Sequence, residues 1–216
     1  MLHGYGADRS WLLNLGVKLN EATNFTILWP DLRGHGETRL TNRTSFGPQE
    51  VADLGSAFSY LKELKADDQS LLVANEMGLY GVELGSYVSM IWAAQGHPEV
   101  RALALDSVPL SADDTLYTAV SSYSGWGNFA TRFFVPLGAH LYYLGEYKSE
   151  LLCDVAKSLG DTRVLLLSGA NSANFRESTI ELANCFPNQE NVELKKRFGA
   201  RCIRYRVGHG RARRSL

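Results

Sequence analysis

The 216-residue chain lacks an apolar run long enough to cross a bilayer, and it has only three cysteines, with no CxxC pair. Its start also lacks the charged, apolar and small-residue pattern of a secretory signal. We therefore expect one cytoplasmic domain over residues 1–216, without a disulfide framework or a zinc site. The cysteines are expected to be small buried thiols; they are Cys153, Cys185 and Cys202. No histidine or carboxylate pair has metal-ligand spacing, so no cofactor is expected.

Charge is almost balanced overall but is unevenly distributed. The net charge is −1, yet nine basic residues and no acidic residue lie from Lys195 onward. Such a stretch can bind nucleic acid or another acidic surface. We favour a solvated strand and tail, because no aromatic-interleaved nucleic-acid motif accompanies the charge.

Apolar strand patterns alternate with helical periodicity along the chain, which predicts a mostly parallel sheet flanked by helices. The predicted strands are 25–30, 78–82, 101–106 and 163–168, with the last strand in 192–198 or 202–207. The predicted helices are 48–64, 84–95 and 175–184. The aromatic-rich stretch 109–160 interrupts this alternation. It predicts either a small helical cap over the sheet or an ordinary pair of packing helices.

Three short motifs occur in a fixed order: Leu2-His-Gly-Tyr-Gly-Ala, Pro30-Asp-Leu-Arg-Gly-His-Gly-Glu-Thr and Gly81-Val-Glu-Leu-Gly. The ordered set closely resembles the α/β-hydrolase family, particularly its esterase and peptidase-like branches. The resemblance implies that the turn after His3 supplies one oxyanion-hole amide, from Gly4 or Tyr5, and that Leu84 supplies the other. It also implies that Asp31, Arg33 and His35 fix a loop.

The family carries a serine nucleophile at the centre of G-x-S-x-G, where this chain has Glu83. A glutamate is longer than serine, and its charge opposes that of a developing oxyanion. We expect the helix N-terminal amides that follow to hold Glu83 ionised. Ser86, three residues further on, is expected to pack against the sheet rather than replace the nucleophile.

The remaining triad positions follow from the resemblance. His209, in Val207-Gly-His-Gly, is the candidate base, whereas His97 and His140 are expected at surface or packing positions. The family's acid follows the strand ending at Ser168, but Asn171 or Ser172 stands there. Asp106, one strand earlier, is the alternative acid, with a turn or cap role as the competing interpretation.

Both ends look short for this family, since the strands before the turn and the final helix are missing. A truncated reading or a minimised domain would explain this, and either leaves an open sheet edge. We expect marginal stability or a homodimer through that edge.

Three functional hypotheses follow. The first is a hydrolase of small esters, amides or related bonds, and the second is a non-catalytic relative that binds a small-molecule ligand or partner through the aromatic cap. The third, binding of nucleic acid, rests on charge alone. The sequence favours a hydrolase-family protein that Glu83 makes weakly active or inactive.

Overall fold

The computed structural model describes residues 1–38, 43–73, 75–121, 128–144, 146–169, 175–198 and 201–206. The helices are α1 Ser10–Thr23, α2 Pro48–Glu63, α3 Leu84–Ala94, α4 Ala112–Ser121, α5 Asn128–Tyr142, α6 Leu152–Val155 and α7 Arg176–Ala183. The strands are β1 Met77–Val82, β2 Val100–Asp106, β3 Arg163–Ser168, β4 Val192–Phe198 and β5 Arg201–Arg206. Short 3₁₀ helices follow α6 and precede β4.

The five strands form one sheet in the order β1-β2-β3-β4-β5. The first four pair in parallel, and β5 returns antiparallel to β4. The register aligns Val82 with Asp106, so the ends of β1 and β2 meet at one edge of the sheet. On the outer side of β1, Leu2 bridges to Gly81 in parallel. The predicted class, a mostly parallel sheet flanked by helices, is confirmed.

Helix α3 is the centre of the core, because every residue from Leu84 to Ala93 is buried. Its apolar composition on all sides is typical of a helix enclosed between a sheet and other helices. One neighbour is α2, whose Phe58 ring meets Trp92 edge-on at 5.2 Å. The N-terminus of α3, which carries the residue at position 83, is therefore held by packing along the whole helix.

Most predicted elements are found within one or two residues of their expected bounds, but the strand predicted over 25–30 is wrong. Residues 24–30 are irregular, and the Phe25 side chain is exposed. The chain beside them is the short segment from Met1 to His3, and the Met1 amino group donates one hydrogen bond to Leu28 O at 2.6 Å. A strand needs a ladder of such bonds, and one bond is not a ladder. Helix α1 had no counterpart among the predicted elements.

The stretch between β2 and β3 contains α4, α5 and α6. Hydrogen bonds join its two ends to each other and its start to α7. Leu152 N donates to Leu110 O at 2.8 Å, which joins the end of the stretch to its start. Val108 N donates to Thr179 Oγ1 of α7 at 2.8 Å. The role of residues 109–160 as a cap stays a prediction. Within the described ranges, no helix is both long and apolar enough to span a membrane.

The expectation of three free thiols is wrong for two of them. Cys153 of α6 and Cys185, just after α7, form a disulfide across 32 positions of sequence. The folded chain brings α6 against the end of α7, a proximity that sequence spacing does not reveal. The third cysteine, Cys202, lies in β5.

Candidate active site

Glu83 occupies a sharp turn between β1 and α3. Its backbone has φ 48° and ψ −111°, a conformation that non-glycine residues rarely adopt. Gly81 and Gly85 make the turn possible: a Cβ on Gly81 would lie 2.4 Å from the carbonyl of Gly85, and one on Gly85 would lie 2.4 Å from Leu2 O. The tight packing of strand, turn and helix thus presents the side chain of position 83 at the end of the sheet.

The Glu83 carboxyl group lies next to Gly4, on the side where a side chain of residue 4 would project. A Cβ added to Gly4 would stand 2.9 Å from Glu83 Oε2 and 3.4 Å from its Cδ. The side chain makes no capping hydrogen bond to α3. The expectation that the helix amides hold Glu83 is therefore wrong, because the side chain reaches across to the turn after His3 instead of folding back on its own helix.

Asp106 ends the neighbouring strand beside this turn. Its carbonyl oxygen accepts a hydrogen bond from Glu83 N at 2.9 Å, and its carboxylate accepts one from Ser107 Oγ at 2.7 Å. The residue after it, Ser107, has a φ of 55°, so the chain turns sharply here as well. Two carboxyl groups from adjacent strands therefore lie at the same end of the sheet.

The imidazole rings of two histidines form hydrogen bonds that link the backbone of residues 3–6 to the backbone of residues 32–35. His3 Nε2 accepts from Leu32 N at 2.9 Å, so its Nδ1 is the protonated nitrogen and donates to Gly4 O at 2.8 Å. His35 acts in the same way, since Nε2 accepts from Gly6 N at 3.0 Å and Nδ1 faces Arg33 O. Burial lowers the pKa of His3, which favours this neutral form.

The loop predicted to be structural makes structural contacts. Asp31 accepts hydrogen bonds from Arg9 N at 2.8 Å and Glu37 N at 3.1 Å. Arg33 pairs with Asp53, with Nε 2.6 Å from Oδ2. Asp31 and His35 thus hold the segment that follows Gly4, whereas Arg33 ties the loop to α2. Tyr5 stacks on Phe46 at 5.2 Å.

Several solved structures share this fold. An esterase from Pyrococcus furiosus, Pf2001, is 21% identical, with a TM-score of 0.63 over 90% of this chain and 70% of its own. Est1E from Butyrivibrio proteoclasticus is 15% identical, with a TM-score of 0.62 over 91% of this chain and 77% of its own. Mouse alpha/beta hydrolase domain-containing protein 10 is 15% identical, with a TM-score of 0.58 over 92% and 79% of the two chains.

This chain has the α/β-hydrolase fold. At these identities the likeness concerns the fold alone, and no protein-family profile and no curated protein matches the sequence. The fold matches on which the conclusion depends are to esterases and lipases, which are hydrolases. The chemistry of this particular α/β-hydrolase fold depends on its own residues.

Ser86 is enclosed in the core of the fold and is not placed to act as a nucleophile. It is fully buried, and its Oγ contacts Gly81 O at 2.6 Å and Asp106 O at 3.0 Å. The hydroxyl group therefore ties the start of α3 to both strands, in agreement with its expected packing role.

Two groups of predicted site residues lie outside the described ranges. His209, the candidate base, is one of them, and the acid-position residues Asn171 and Ser172 are the others. His97 stacks on Trp92 at 3.8 Å, and His140 meets Tyr147 edge-on at 5.1 Å, so both pack against aromatic rings. The roles assigned to Glu83, Asp106, His209, Gly4, Tyr5 and Leu84 stay predictions.

A cavity of about 440 Å³ lies between the loop before α2 and the end of α5. It is lined by Arg43, Thr44, Ser45, Gln49, Tyr142, Tyr143, Leu144 and Glu146, none of which belongs to the turn at Glu83. Sequence reasoning missed this cavity because its walls are nearly 100 positions apart. Among the residues that the structure describes, no cluster of three or more His, Cys, Asp or Glu side chains could hold a metal ion.

The electrostatics of Glu83 predict a pH-dependent stability. Burial, and then the charge of Asp106, raise the pKa of Glu83 above its ordinary value of 4.5. The folded chain then binds more protons than the unfolded chain between these two pKa values, so rising pH removes stability through that window. We expect Glu83→Gln to be more stable than wild type at pH 7, as measured by urea unfolding.

The advantage of Glu83→Gln should shrink as the pH falls toward 4, because wild-type Glu83 becomes neutral. Glu21→Gln, an exposed change on α1, is the control and should show no such trend. An advantage that is constant across this pH range would contradict the assigned desolvation.

Proposed function

We propose that this α/β-hydrolase-fold protein has weak or no acyl-hydrolase activity, because a carboxylate occupies its nucleophile turn. The observation that carries the proposal is the position of Glu83 Oε2, packed over Gly4. The backbone of that glycine, or of Tyr5, would have to face the carbonyl oxygen of a substrate. The carboxyl group fills part of the space that an acyl group would need.

Electrostatics add to this steric effect. An oxyanion about 4 Å from an ionised carboxylate is repelled by roughly 4 kcal/mol at an effective dielectric constant of about 20. One oxyanion-hole donor stabilises the transition state by about 3–4 kcal/mol. The charge on Glu83 therefore offsets about one donor, in addition to the missing hydroxyl nucleophile.

A second candidate is an active hydrolase of small esters, amides or related bonds, in which Glu83 acts as nucleophile or base with His209. The strained backbone at Glu83 favours it, since strain of this kind is concentrated at functional turns. As a nucleophile or base Glu83 must be ionised, and its raised pKa means that this form is reached only at a higher pH than for an ordinary glutamate. A third candidate is ligand binding without turnover, through the aromatic helices between β2 and β3.

Replacement of the carboxylate by a hydroxyl group tests the proposal. We expect Glu83→Ser to hydrolyse short p-nitrophenyl esters about 10³-fold faster than wild type, since about 4 kcal/mol of repulsion is removed and each 1.36 kcal/mol is tenfold. The gain should disappear in Glu83→Ser with His209→Ala. Glu21→Ser, which changes an exposed glutamate on α1, should leave the rate at the wild-type level.

Substantial wild-type esterase activity that Glu83→Gln and His209→Ala both abolish would contradict the proposal and establish the second candidate. The small-molecule ligand and the homodimer through an open sheet edge stay predictions.

A further inference from the structure

Helix α5 presents large apolar side chains to solvent. Phe133, Phe134, Leu137 and Leu141 are 47–69% exposed, and Leu144, just beyond the helix, is 91% exposed. Residues 133, 137 and 141 are spaced four apart, so they follow one face of the helix. Isolated exposed apolar residues are ordinary, but a contiguous set marks an interaction surface. We call these five residues the α5 ridge.

The sequence around the ridge has an unusual charge pattern. Residues 115–145 contain eight aromatic residues and no Asp or Glu, and Arg132 is their one formally charged residue. The Arg43 guanidinium lies 5.0 Å over the ring of Tyr142, at the end of the ridge. The next carboxylate along the chain, Glu146, accepts a hydrogen bond from Gln49 Nε2 at 2.9 Å. The ridge thus lies in a stretch of sequence without acidic residues, and Arg43 and Glu146 both lie near its C-terminal end.

The exposure of the ridge side chains helps to distinguish a protein partner from a lipid surface. Four of the five side chains are 62–91% exposed, so most of each of them projects beyond the packed surface. A protein partner would need a matching groove, because specific interfaces are packed as closely as interiors. A fluid lipid surface needs no groove, and a helix with apolar side chains on its outer face can lie 5–10 Å deep in its boundary region, where aromatic rings with polar tips are favoured.

We propose that the α5 ridge docks on phospholipid surfaces, with α5 lying along the headgroup boundary and the five apolar side chains inserted. The absence of acidic residues from positions 115–145 limits repulsion from anionic headgroups. Arg43 and Tyr142 then lie at the level of the headgroups, at the end of the ridge. The driving force is the burial of apolar side chains, so neutral phosphatidylcholine is sufficient.

The test is flotation of the full chain with vesicles of phosphatidylcholine, and separately with vesicles that contain one-fifth phosphatidylglycerol. The wild-type chain is expected to float with both, and Leu137→Glu with Leu141→Glu to lower its partition coefficient more than tenfold. The matched control is Leu13→Glu with Leu15→Glu on α1, at residues 47% and 42% exposed, which should bind as wild type does. Circular dichroism and thermal unfolding confirm that both double variants fold.

Four results would overturn the proposal. The wild-type chain could fail to float with either vesicle, or both double variants could lose binding equally. Binding confined to anionic vesicles and abolished by salt would indicate electrostatic adsorption instead. Sedimentation velocity could also show a dimer that the α5 double variant dissociates, with no flotation, which would identify a second copy of this chain as the occupant.

Discussion

Gly85→Ala is expected to lower the free energy of unfolding by about 3–5 kcal/mol, or to prevent folding. The added Cβ would lie 2.4 Å from Leu2 O and 2.7 Å from Leu2 C, and both are backbone atoms. Leu2 cannot move aside easily, because its N–H donates to Tyr80 O at 2.8 Å and its carbonyl accepts from Val82 N at 3.0 Å. The clash must therefore break the first bridge of the sheet or displace α3.

Gly138→Ala provides the matched control for this prediction. Gly138 lies inside α5, and among the described residues no atom beyond the adjacent helix backbone lies within 4 Å of the position that its Cβ would take. Alanine favours a helix over glycine by up to about 1 kcal/mol, so this variant should be as stable as wild type or slightly more stable. Urea unfolding of both variants is the measurement. Similar midpoints for Gly85→Ala and wild type would show that the close approach at Leu2 is not rigid.

Reduction of the Cys153–Cys185 disulfide is expected to lower the free energy of unfolding by about 3–4 kcal/mol. The estimate is the chain entropy regained when a loop of 32 positions is opened in the unfolded state. For a domain of this size that corresponds to a fall in Tm of roughly 10 °C. Calorimetry of the native chain and of Cys153→Ser with Cys185→Ser measures it.

The control for the disulfide is Cys202→Ser, which leaves the bridge intact. This variant should retain both the wild-type Tm and its sensitivity to reductant. The double serine variant should have the lower Tm and no response to reductant. If reductant leaves the Tm of the wild-type chain unchanged, the assigned bridge is wrong.

Strands and helices with a strong local sequence pattern could be predicted from the sequence. The apolar runs of β1 to β3 and the periodicity of α2 and α3 are strong local signals, and two glycines around position 83 are enough to predict a tight turn after a strand. The turn geometry at Glu83 follows from that local pattern because Gly81 closely approaches neighbours in sequence, whereas Gly85 closely approaches the distant residues Leu2 and His3.

Features that depend on distant contacts were not predictable. The apolar composition of 25–30 predicts a strand, but a strand also needs a partner, and the segment beside it supplies one hydrogen bond. The bridge between Cys153 and Cys185 depends on how α6 packs near α7. The sequence predicts that the Glu83 carboxylate binds the amides of its own helix. Only the folded chain shows that this carboxyl group packs against Gly4 instead.

The attachments of the helical stretch between β2 and β3 limit how it can move. At its start, Val108 O accepts from Ser178 Oγ of α7 at 2.6 Å, and near its end the disulfide joins α6 to the chain just after α7. Both ends of the stretch are thus joined to α7 or to the residues that directly follow it. Because these two attachments fix the ends of the stretch, any movement of α4 and α5 relative to α7 requires a change of backbone conformation between Val108 and Cys153.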